Sequence, residues 1–167
     1  MTKFHHLVIE PLNDDHNRSA FQCGIEALDN YLKKLAKQDI KRRISRVFVA
    51  TQPDDSSQIL GYYTLSALSI HLNELPEALA RKLPRNPIPA ALIGRLAVSQ
   101  HAQGYGIGKM LLVNAIKRTL AVSGDIAIYA MVVDAINDEA RSFYEKFCFI
   151  GLSPNSNRLF LPLKTPC

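Results

Sequence analysis

The chain has 167 residues, of which 47% are hydrophobic and 21% are charged. This composition is typical of a soluble globular protein, and the length predicts one domain over residues 1–167. The longest apolar run, Ile126 to Val133, is far shorter than the roughly 20 residues that a membrane-spanning helix needs. Because the N-terminus also lacks the features of a signal peptide, we expect a cytoplasmic protein without a membrane partner.

The formal net charge is +5, from 20 Lys and Arg residues against 15 Asp and Glu residues. This excess is modest for a nucleic-acid-binding protein, so its distribution matters more than its total. The three cysteines, Cys23, Cys148 and Cys167, include no C-x-x-C pair, and the five histidines lack the spacing of metal ligands. We therefore expect reduced cysteines and no metal site.

The periodicity of the apolar residues predicts alternating strands and helices. Strands are predicted at 7–10, 47–50, 59–70, 90–98, 126–134, 149–152 and 158–163. Helices are predicted at 23–43, 77–83 and 105–122, and a fourth begins after the N-cap residue Asn137. Residues 126–134 are apolar on both faces, which is typical of a central strand. This order predicts an α/β sandwich with helices on both faces of a mixed sheet.

The first predicted helix is amphipathic and basic. Its apolar positions recur at spacings of three and four, which places them on one face; they are Leu28, Leu32, Leu35, Ala36 and Ile40. The other face is a basic stretch interrupted only by Asp39. Its cations are Lys33, Lys34, Lys37, Lys41, Arg42, Arg43 and Arg46. A charge run of this kind is often a solvated helix surface, but it also suits a polyphosphate partner, with Arg85 and Arg95 as candidate additions.

A glycine-rich turn, Gln103 to Lys109, lies between a predicted strand and a predicted helix. Glycines allow backbone N–H groups to approach an anion at a helix N-terminus, where the dipole also favours negative charge. The turn is not a Walker loop, because no glycine stands five residues before Gly108 and Met110 replaces the hydroxyl residue of that motif. It is not a dinucleotide fingerprint either, because the glycines are spaced G-x-G-x-G. The sequence thus predicts a phosphate site that disfavours ATP and NAD.

The residues Gln103, Gly106 and Gly108 form the pattern Q-x-x-G-x-G, which resembles the acetyl-CoA pyrophosphate loop of the GNAT acetyltransferase superfamily. The preceding residues 93–98 resemble that family's splayed cofactor-binding strand. Further motifs resemble the GNAT toxins of bacterial type II toxin–antitoxin modules, and they extend from Phe21 to Pro162. These motifs are F-x-C-G-x-x-x-L-D-x-Y-L from Phe21, A-x-Q-D from Ala36, I-P-A from Ile88, F-Y-x-K-F-x-F from Phe143 and R-L-x-x-P from Arg158. Where the family often has glycine, this chain has Cys148.

The resemblance implies a GNAT fold with a mixed, mostly antiparallel central sheet. It implies transfer of an acetyl group from acetyl-CoA to the α-amino group of an aminoacyl-tRNA, which blocks translation. It also implies a homodimer that is neutralised by a ribbon-helix-helix antitoxin. The implied cofactor-binding residues are Leu96, Ala97, Val98, Gln103, Gly104, Tyr105, Gly106, Ile107, Gly108, Lys109, Asn137 and Phe143. The tRNA or the antitoxin would contact the basic stretch together with Arg85 and Arg95.

Tyr144 is the catalytic candidate, because the resemblance places the general acid of the family at this tyrosine. Its hydroxyl would assist the departing thiolate, while the backbone N–H of Leu96 or Val98 would hold the thioester oxygen. The alternative for Tyr144 is a core aromatic residue, since Phe143 and Phe147 share its helical spacing.

The strand before the glycine turn contains no carboxylate between Pro87 and Val98. A lysine side chain has a pKa of about 10.4 and needs a general base, whereas an α-amino group has a pKa of about 7.7–8.0. The missing carboxylate therefore favours an α-amino substrate. Two alternatives stay open at this point: a GNAT enzyme that acetylates a protein N-terminus or a small amine, and a non-enzymatic regulatory module that binds nucleic acid or a partner.

Overall fold

The chain alternates strands and helices in the predicted order, and the computed structural model describes residues 4, 6–84, 87–153 and 156–164. The strands are β1 (Val8–Pro11), β2 (Arg46–Thr51), β3 (Gly61–Ile70), β4 (Ile88–Val98), β5 (Ala130–Asp134), β6 (Ile150–Gly151) and β7 (Arg158–Pro162). The helices are α1 (Glu26–Asn30), α2 (Ala36–Lys41), α3 (Glu77–Ala80), α4 (Ile107–Val122) and α5 (Asp138–Glu145). A π-helical turn, Tyr31–Leu35, joins α1 to α2. Short 3₁₀ turns lie at Leu72–Glu74 and Gln100–Ala102.

The strands of the described residues form one sheet in the order β1-β2-β3-β4-β5-β7-β6. Strand β1 pairs with β2, β2 with β3, β5 with β7 and β6 with β7 in antiparallel register, whereas β4 and β5 are parallel. The predicted α/β class with a mixed, mostly antiparallel sheet is therefore confirmed. Within the described ranges, no helix is long and apolar enough to cross a membrane.

The chain divides into two compact units. Met1–Ser66 and Gly94–Lys117 form the first, and Ala67–Ile93 and Arg118–Cys167 form the second. Each unit has its own apolar core. The single domain over residues 1–167 stays a prediction.

The core of the first unit depends on the π-helical turn. Its helical residues Leu28, Leu32 and Ala36 are buried and follow one another at steps of four. On an α-helix each step of four overshoots a full turn by about 40°, so such a row drifts around the helix. One wider π turn corrects the drift. It also turns Leu35 outward, where it is 49% exposed, so the prediction that Leu35 lies on the apolar face is wrong.

Helix α2 ends two residues earlier than predicted, in a Schellman motif. The N–H of Ile44 donates to the Asp39 carbonyl at 2.9 Å, and the N–H of Arg43 donates to the Ile40 carbonyl at 3.1 Å. Arg43 has a φ of +59°, in the left-handed region where glycine is usual. Because Arg43 has a Cβ atom, its backbone is strained in this conformation.

The core of the second unit centres on β5. Residues 130–133 are fully buried, as expected of a central strand. The strand begins four residues later than predicted, because the N–H of Ile126 still donates to the Val122 carbonyl of α4 and its side chain is 67% exposed. The predicted N-cap is confirmed, since Asn137 Oδ1 accepts a hydrogen bond from the Ala140 N–H at 2.8 Å.

The cysteines divide into two kinds. Cys23 is free and buried, as expected. Cys148 is disulfide-bonded, so the expectation of reduced cysteines is wrong for this residue, whose φ of +72° also lies in the left-handed region. The glycine that the family often has at this position suits such a conformation. Cys167 lies outside the described residues.

Candidate active site

The glycine turn forms an open cradle in front of α4. Gly104 and Gly106 have φ values of +86° and +81°, and a Cβ atom at either position would have no heavy atom within 4 Å. The Ile107 side chain is buried and anchors the turn. Ile107 could therefore contact a ligand only through its backbone. The first turn of α4 holds no acidic residue, but it does hold Lys109. This cradle fits a phosphate group, because N–H groups, the helix dipole and a cation all favour an anion there.

Gln103 braces the cradle from within the first unit. Its side-chain Nε2 donates to the Val98 carbonyl and to the Cys23 carbonyl, each at 2.9 Å. Both hydrogens of the amide are therefore committed to the protein. The side chain of Gln103 ties the turn to the end of β4, and the assignment of this residue to cofactor binding stays a prediction.

The end of β4 is held by an unusually close backbone approach. A Cβ atom at Gly61 would lie 2.8 Å from the Ala97 carbonyl oxygen and 2.8 Å from Leu111 Cδ1, so only glycine fits there. Pairing of β4 with β5 ends at Ile93. The predicted cofactor-binding residues Leu96, Ala97 and Val98 lie beyond that point, and their role in cofactor binding stays a prediction.

Tyr144 lies on α5 in the second unit. Its side chain is 5% exposed and packs edge-on against Phe143 at 5.3 Å and Phe149 at 5.7 Å. Its hydroxyl makes no hydrogen bond to any described residue. Burial, and then the charge of Asp134, raise the pKa of Tyr144 above its usual value. The hydroxyl therefore keeps its proton at neutral pH.

Two predicted cofactor residues accompany Tyr144 on this helix. Asn137 uses its Oδ1 as the N-cap, which leaves its NH₂ group for a ligand. Phe143 is half-buried and packs between Tyr144 and Phe147, whose ring lies 5.2 Å away. The sequence therefore placed both side chains correctly on the element that carries Tyr144.

The basic stretch lies on the surface of the first unit. Lys34, Lys37, Lys41, Arg42, Arg43 and Arg46 are exposed, and Lys33 is half-buried. Lys37 forms an ion pair with Asp14 at 2.6 Å, but both side chains are solvated and the contribution to stability is small. Arg85 lies outside the described residues.

Arg95 has a different environment from the rest of the basic residues. Its guanidinium carbon lies 3.6 Å from the centre of the Tyr31 ring. Burial and the hydrogen bond to Asp39 raise the pKa of Tyr31 to about 12. The sequence analysis assigned no role to Tyr31. The available signal was the regular spacing of four between Leu28, Leu32 and Ala36, which requires a π turn, and that turn begins at Tyr31.

A second feature that the sequence did not indicate is an ion pair between neighbouring strands. Arg158 Nε donates to Asp134 Oδ1 at 2.8 Å, and its terminal nitrogen donates to Oδ2 at 3.0 Å. These residues are directly opposite in the β5–β7 register, which only strand pairing can disclose. In the part of the chain that the structure describes, no three His, Cys, Asp or Glu side chains are placed to hold a metal ion.

The first unit holds a glycine turn that suits a phosphate, and the second holds a tyrosine with a raised pKa. A group-transfer enzyme with a phosphate-bearing co-substrate uses features of both kinds. Residues 43–150 match the family model described as an acetyltransferase (GNAT) domain. The chain is 34% identical to the probable toxin TacT of Sinorhizobium fredii, over 95% of this chain and 92% of that protein. Among solved structures, a tyrosine-to-phenylalanine variant of KacT matches with a TM-score of 0.90 at 34% identity, over 96% of each chain. AtaT complexed with acetyl-methionyl-tRNAfMet matches with a TM-score of 0.87 at 32% identity, over 95% of this chain and 96% of AtaT.

The chain therefore belongs to the GNAT acetyltransferase family. This membership confirms the predicted enzyme class, the resemblance to GNAT toxins and acetyl-CoA as the co-substrate. A variant of AtaT has also been solved with the C-terminus of the antitoxin AtaR and acetyl-CoA, at a TM-score of 0.80 and 31% identity over 95% of this chain and 94% of AtaT. The solved relatives thus include a complex with tRNA and complexes with an antitoxin.

Proposed function

We propose that this protein is the toxin of a type II toxin–antitoxin module, and that it transfers an acetyl group from acetyl-CoA to the α-amino group of an aminoacyl-tRNA. The proposal is carried by the hydroxyl of Tyr144, a protonated donor without a partner among the described residues, in a chain that also holds an open phosphate cradle. The likeness to AtaT complexed with acetyl-methionyl-tRNAfMet supports the choice of substrate.

Acetyl-CoA supplies the acetyl group as an activated thioester. The N–H groups of Gly104 and Gly106 and of the first turn of α4 hold its phosphates, with Lys109 as the nearby cation. The backbone N–H of Leu96 or Val98 holds the thioester oxygen as it becomes an oxyanion. Gln103 keeps the turn and the strand in a fixed relation, because its amide joins the Val98 carbonyl to the loop.

Tyr144 moves a proton from the amine to the sulfur. A phenol with a raised pKa is not ionised at neutral pH, and full transfer of its proton to a thiolate of pKa about 8.5 is unfavourable. The hydroxyl therefore donates its proton to the departing sulfur as it receives one from the attacking nitrogen. Nitrogen loses a proton, sulfur gains one and Tyr144 ends unchanged.

The absence of a carboxylate from the described residues 87–98 supports an α-amino acceptor. With a pKa of about 7.7–8.0, an α-amino group supplies a substantial neutral fraction without a general base. A lysine acceptor, with a pKa of about 10.4, would be almost wholly protonated. The chain therefore suits an acceptor that needs no general base, such as the ester-linked α-amine of an aminoacyl-tRNA.

The exposed cations of the basic stretch supply the positive field that a polynucleotide requires. An acidic segment of a ribbon-helix-helix antitoxin would compete for the same field, so one surface serves both partners. We propose a homodimer that acts in the cytoplasm, where its tRNA substrate is found.

Cell-free translation with acetyl-CoA, followed by mass spectrometry of the aminoacyl-tRNA pool, tests the function. We expect inhibition that depends on acetyl-CoA and is accompanied by one or more N-acetylated aminoacyl-tRNAs. Inhibition without any acetylated aminoacyl product would overturn the proposed chemistry.

A further inference from the structure

Arg95 lies over the ring of Tyr31, which forms an aromatic platform for it. Its guanidinium carbon lies 3.6 Å from the centre of the Tyr31 ring, which is the geometry of a cation–π contact. Its backbone N–H donates to Thr64 Oγ1 at 3.1 Å, which fixes the strand at this residue. Both the side chain and the backbone of Arg95 therefore have a contact within the first unit.

The platform is itself fixed on several sides. The Tyr31 hydroxyl donates to Asp39 Oδ2 at 2.9 Å, and the ring stacks on Tyr62 at 6.3 Å with an interplanar angle of 16°. Tyr62 in turn donates to the Leu28 carbonyl at 2.7 Å. Tyr31 is 2% exposed, so its ring has no room to turn. The π turn that begins at Tyr31 sets the direction of this side chain.

The donors of Arg95 are not used within the protein. Among the described residues, no carboxylate lies within ion-pair distance of its guanidinium, and its side chain donates no hydrogen bond. The nearest acid of the platform, Asp39, is engaged by the Tyr31 hydroxyl instead. Arg95 is half-buried, so its side chain is accessible to a ligand. A planar guanidinium with free donors matches the oxygens of a phosphate in a bidentate manner.

We propose that Arg95 binds the phosphate that links the last two nucleotides of the acceptor tRNA, and that Tyr31 is a positioning residue that acts through it. This inference rests on the proposed function. Arg95 directly precedes Leu96, and the backbone N–H of Leu96 is one of the two groups proposed to hold the thioester oxygen. Neighbouring residues in a strand are about 3.3 Å apart. The phosphate nearest to the aminoacyl ester is the one that can reach this point while the amine approaches the thioester.

Two small acceptors separate the phosphate from the rest of the tRNA. The first is adenosine esterified with the aminoacyl group found acetylated in the translation extract, and it has no phosphate. The second is the same ester of cytidylyl-adenosine, which has one phosphate. The phosphate preference is the ratio of kcat/KM for the second acceptor to that for the first.

We expect Arg95→Gln to lower the phosphate preference by at least about tenfold, the loss of one charge-assisted bidentate contact. Arg95→Lys loses part of it, because an ammonium lacks the planar fork. Tyr31→Leu lowers it like Arg95→Gln, whereas Tyr31→Phe keeps most of it, because the ring remains. With whole aminoacyl-tRNA, Arg95→Gln reduces the slope of log KM against log salt by about 0.7.

Matched controls separate this role from folding and from total charge. Tyr63→Phe removes a buried hydroxyl that donates to Asn114 Oδ1 and not to the platform, and Arg81→Gln removes one exposed arginine that pairs with Glu77. Both are expected to keep the wild-type preference. Circular dichroism melting shows whether Tyr31→Leu folds, and if it does not, the two Arg95 variants decide the matter.

The outcomes distinguish the two proposals. A wild-type enzyme that acetylates neither the esters nor aminoacyl-tRNA would overturn the proposed function and this inference with it. A wild-type enzyme that acetylates aminoacyl-tRNA, with a phosphate preference unchanged in Arg95→Gln, would overturn this inference alone. A preference lost in Arg95→Gln but kept in Tyr31→Leu would remove the role of Tyr31.

Discussion

Substitution of Gly106 by alanine separates the backbone requirement of the glycine turn from its ligand-binding role. The φ of +81° lies in the left-handed region, where a Cβ atom costs about 1–2 kcal/mol. No heavy atom lies within 4 Å of that Cβ, so steric overlap within the protein adds nothing. The methyl group instead occupies open space beside the turn, which is where the proposed phosphate would bind. Loss of one charge-assisted hydrogen bond there weakens acetyl-CoA binding by about 1.5–3 kcal/mol, or roughly 10- to 100-fold.

Isothermal titration calorimetry with acetyl-CoA and with acetyl-pantetheine, which has no phosphate, measures the loss of phosphate binding separately from the backbone strain. We expect Gly106→Ala to lose affinity for acetyl-CoA but not for acetyl-pantetheine. Gly124→Ala is the matched control, because Gly124 does not have a positive φ and the nearest atom to its Cβ, the Ala121 carbonyl oxygen, is 3.6 Å away. A lower melting temperature in Gly106→Ala with unchanged affinity for acetyl-CoA would refute the assignment of this turn to the phosphates.

Three further predictions follow from the same geometry. Because the pKa of Tyr144 is raised, kcat/KM should rise as the α-amino group loses its proton, below about pH 7.7–8.0 because the neighbouring ester lowers the pKa of the amine, and then stay flat; a falling limb centred near pH 10 would contradict the raised pKa of Tyr144. Gly61→Ala should lower the free energy of unfolding by about 1–3 kcal/mol and weaken acetyl-CoA binding, because the Ala97 backbone must move; an unchanged denaturation midpoint would show that the strand yields without cost. Cys23 should resist thiol reagents at pH 8 until the protein is unfolded, because burial raises its thiol pKa to about 11, and rapid labelling of the folded protein would disprove this protection.

Features that depend on local chemistry were predictable from the sequence. The Asn137 cap follows from one side chain and its neighbours, and the burial of β5 follows from apolar residues on both of its faces. The glycine turn was predictable for the same reason, since Gly104 and Gly106 adopt the positive φ values that glycine alone reaches without steric cost. These are the parts of the site that a one-dimensional pattern encodes.

Features that depend on an exact helical phase or on distant pairing were not predictable. The outward turn of Leu35 requires knowledge that the helix widens by one residue, and a window of average period 3.6 does not contain that information. The contact of Arg95 with Tyr31 joins residues 64 positions apart. The use of the Gln103 side chain within the protein follows from where the Cys23 carbonyl lies.

The central claim is that Tyr144 serves acetyl transfer to the α-amine of an aminoacyl-tRNA. Its most direct test uses purified aminoacyl-tRNA and radiolabelled acetyl-CoA in single-turnover reactions with wild type and Tyr144→Phe, each first shown to fold and to bind acetyl-CoA. We predict N-acetylated aminoacyl-tRNA from the wild type and a rate at least about 100-fold lower from Tyr144→Phe, the usual contribution of a positioned proton donor. Equal rates for the two proteins, or no acetylated aminoacyl-tRNA from the wild type, would contradict the account.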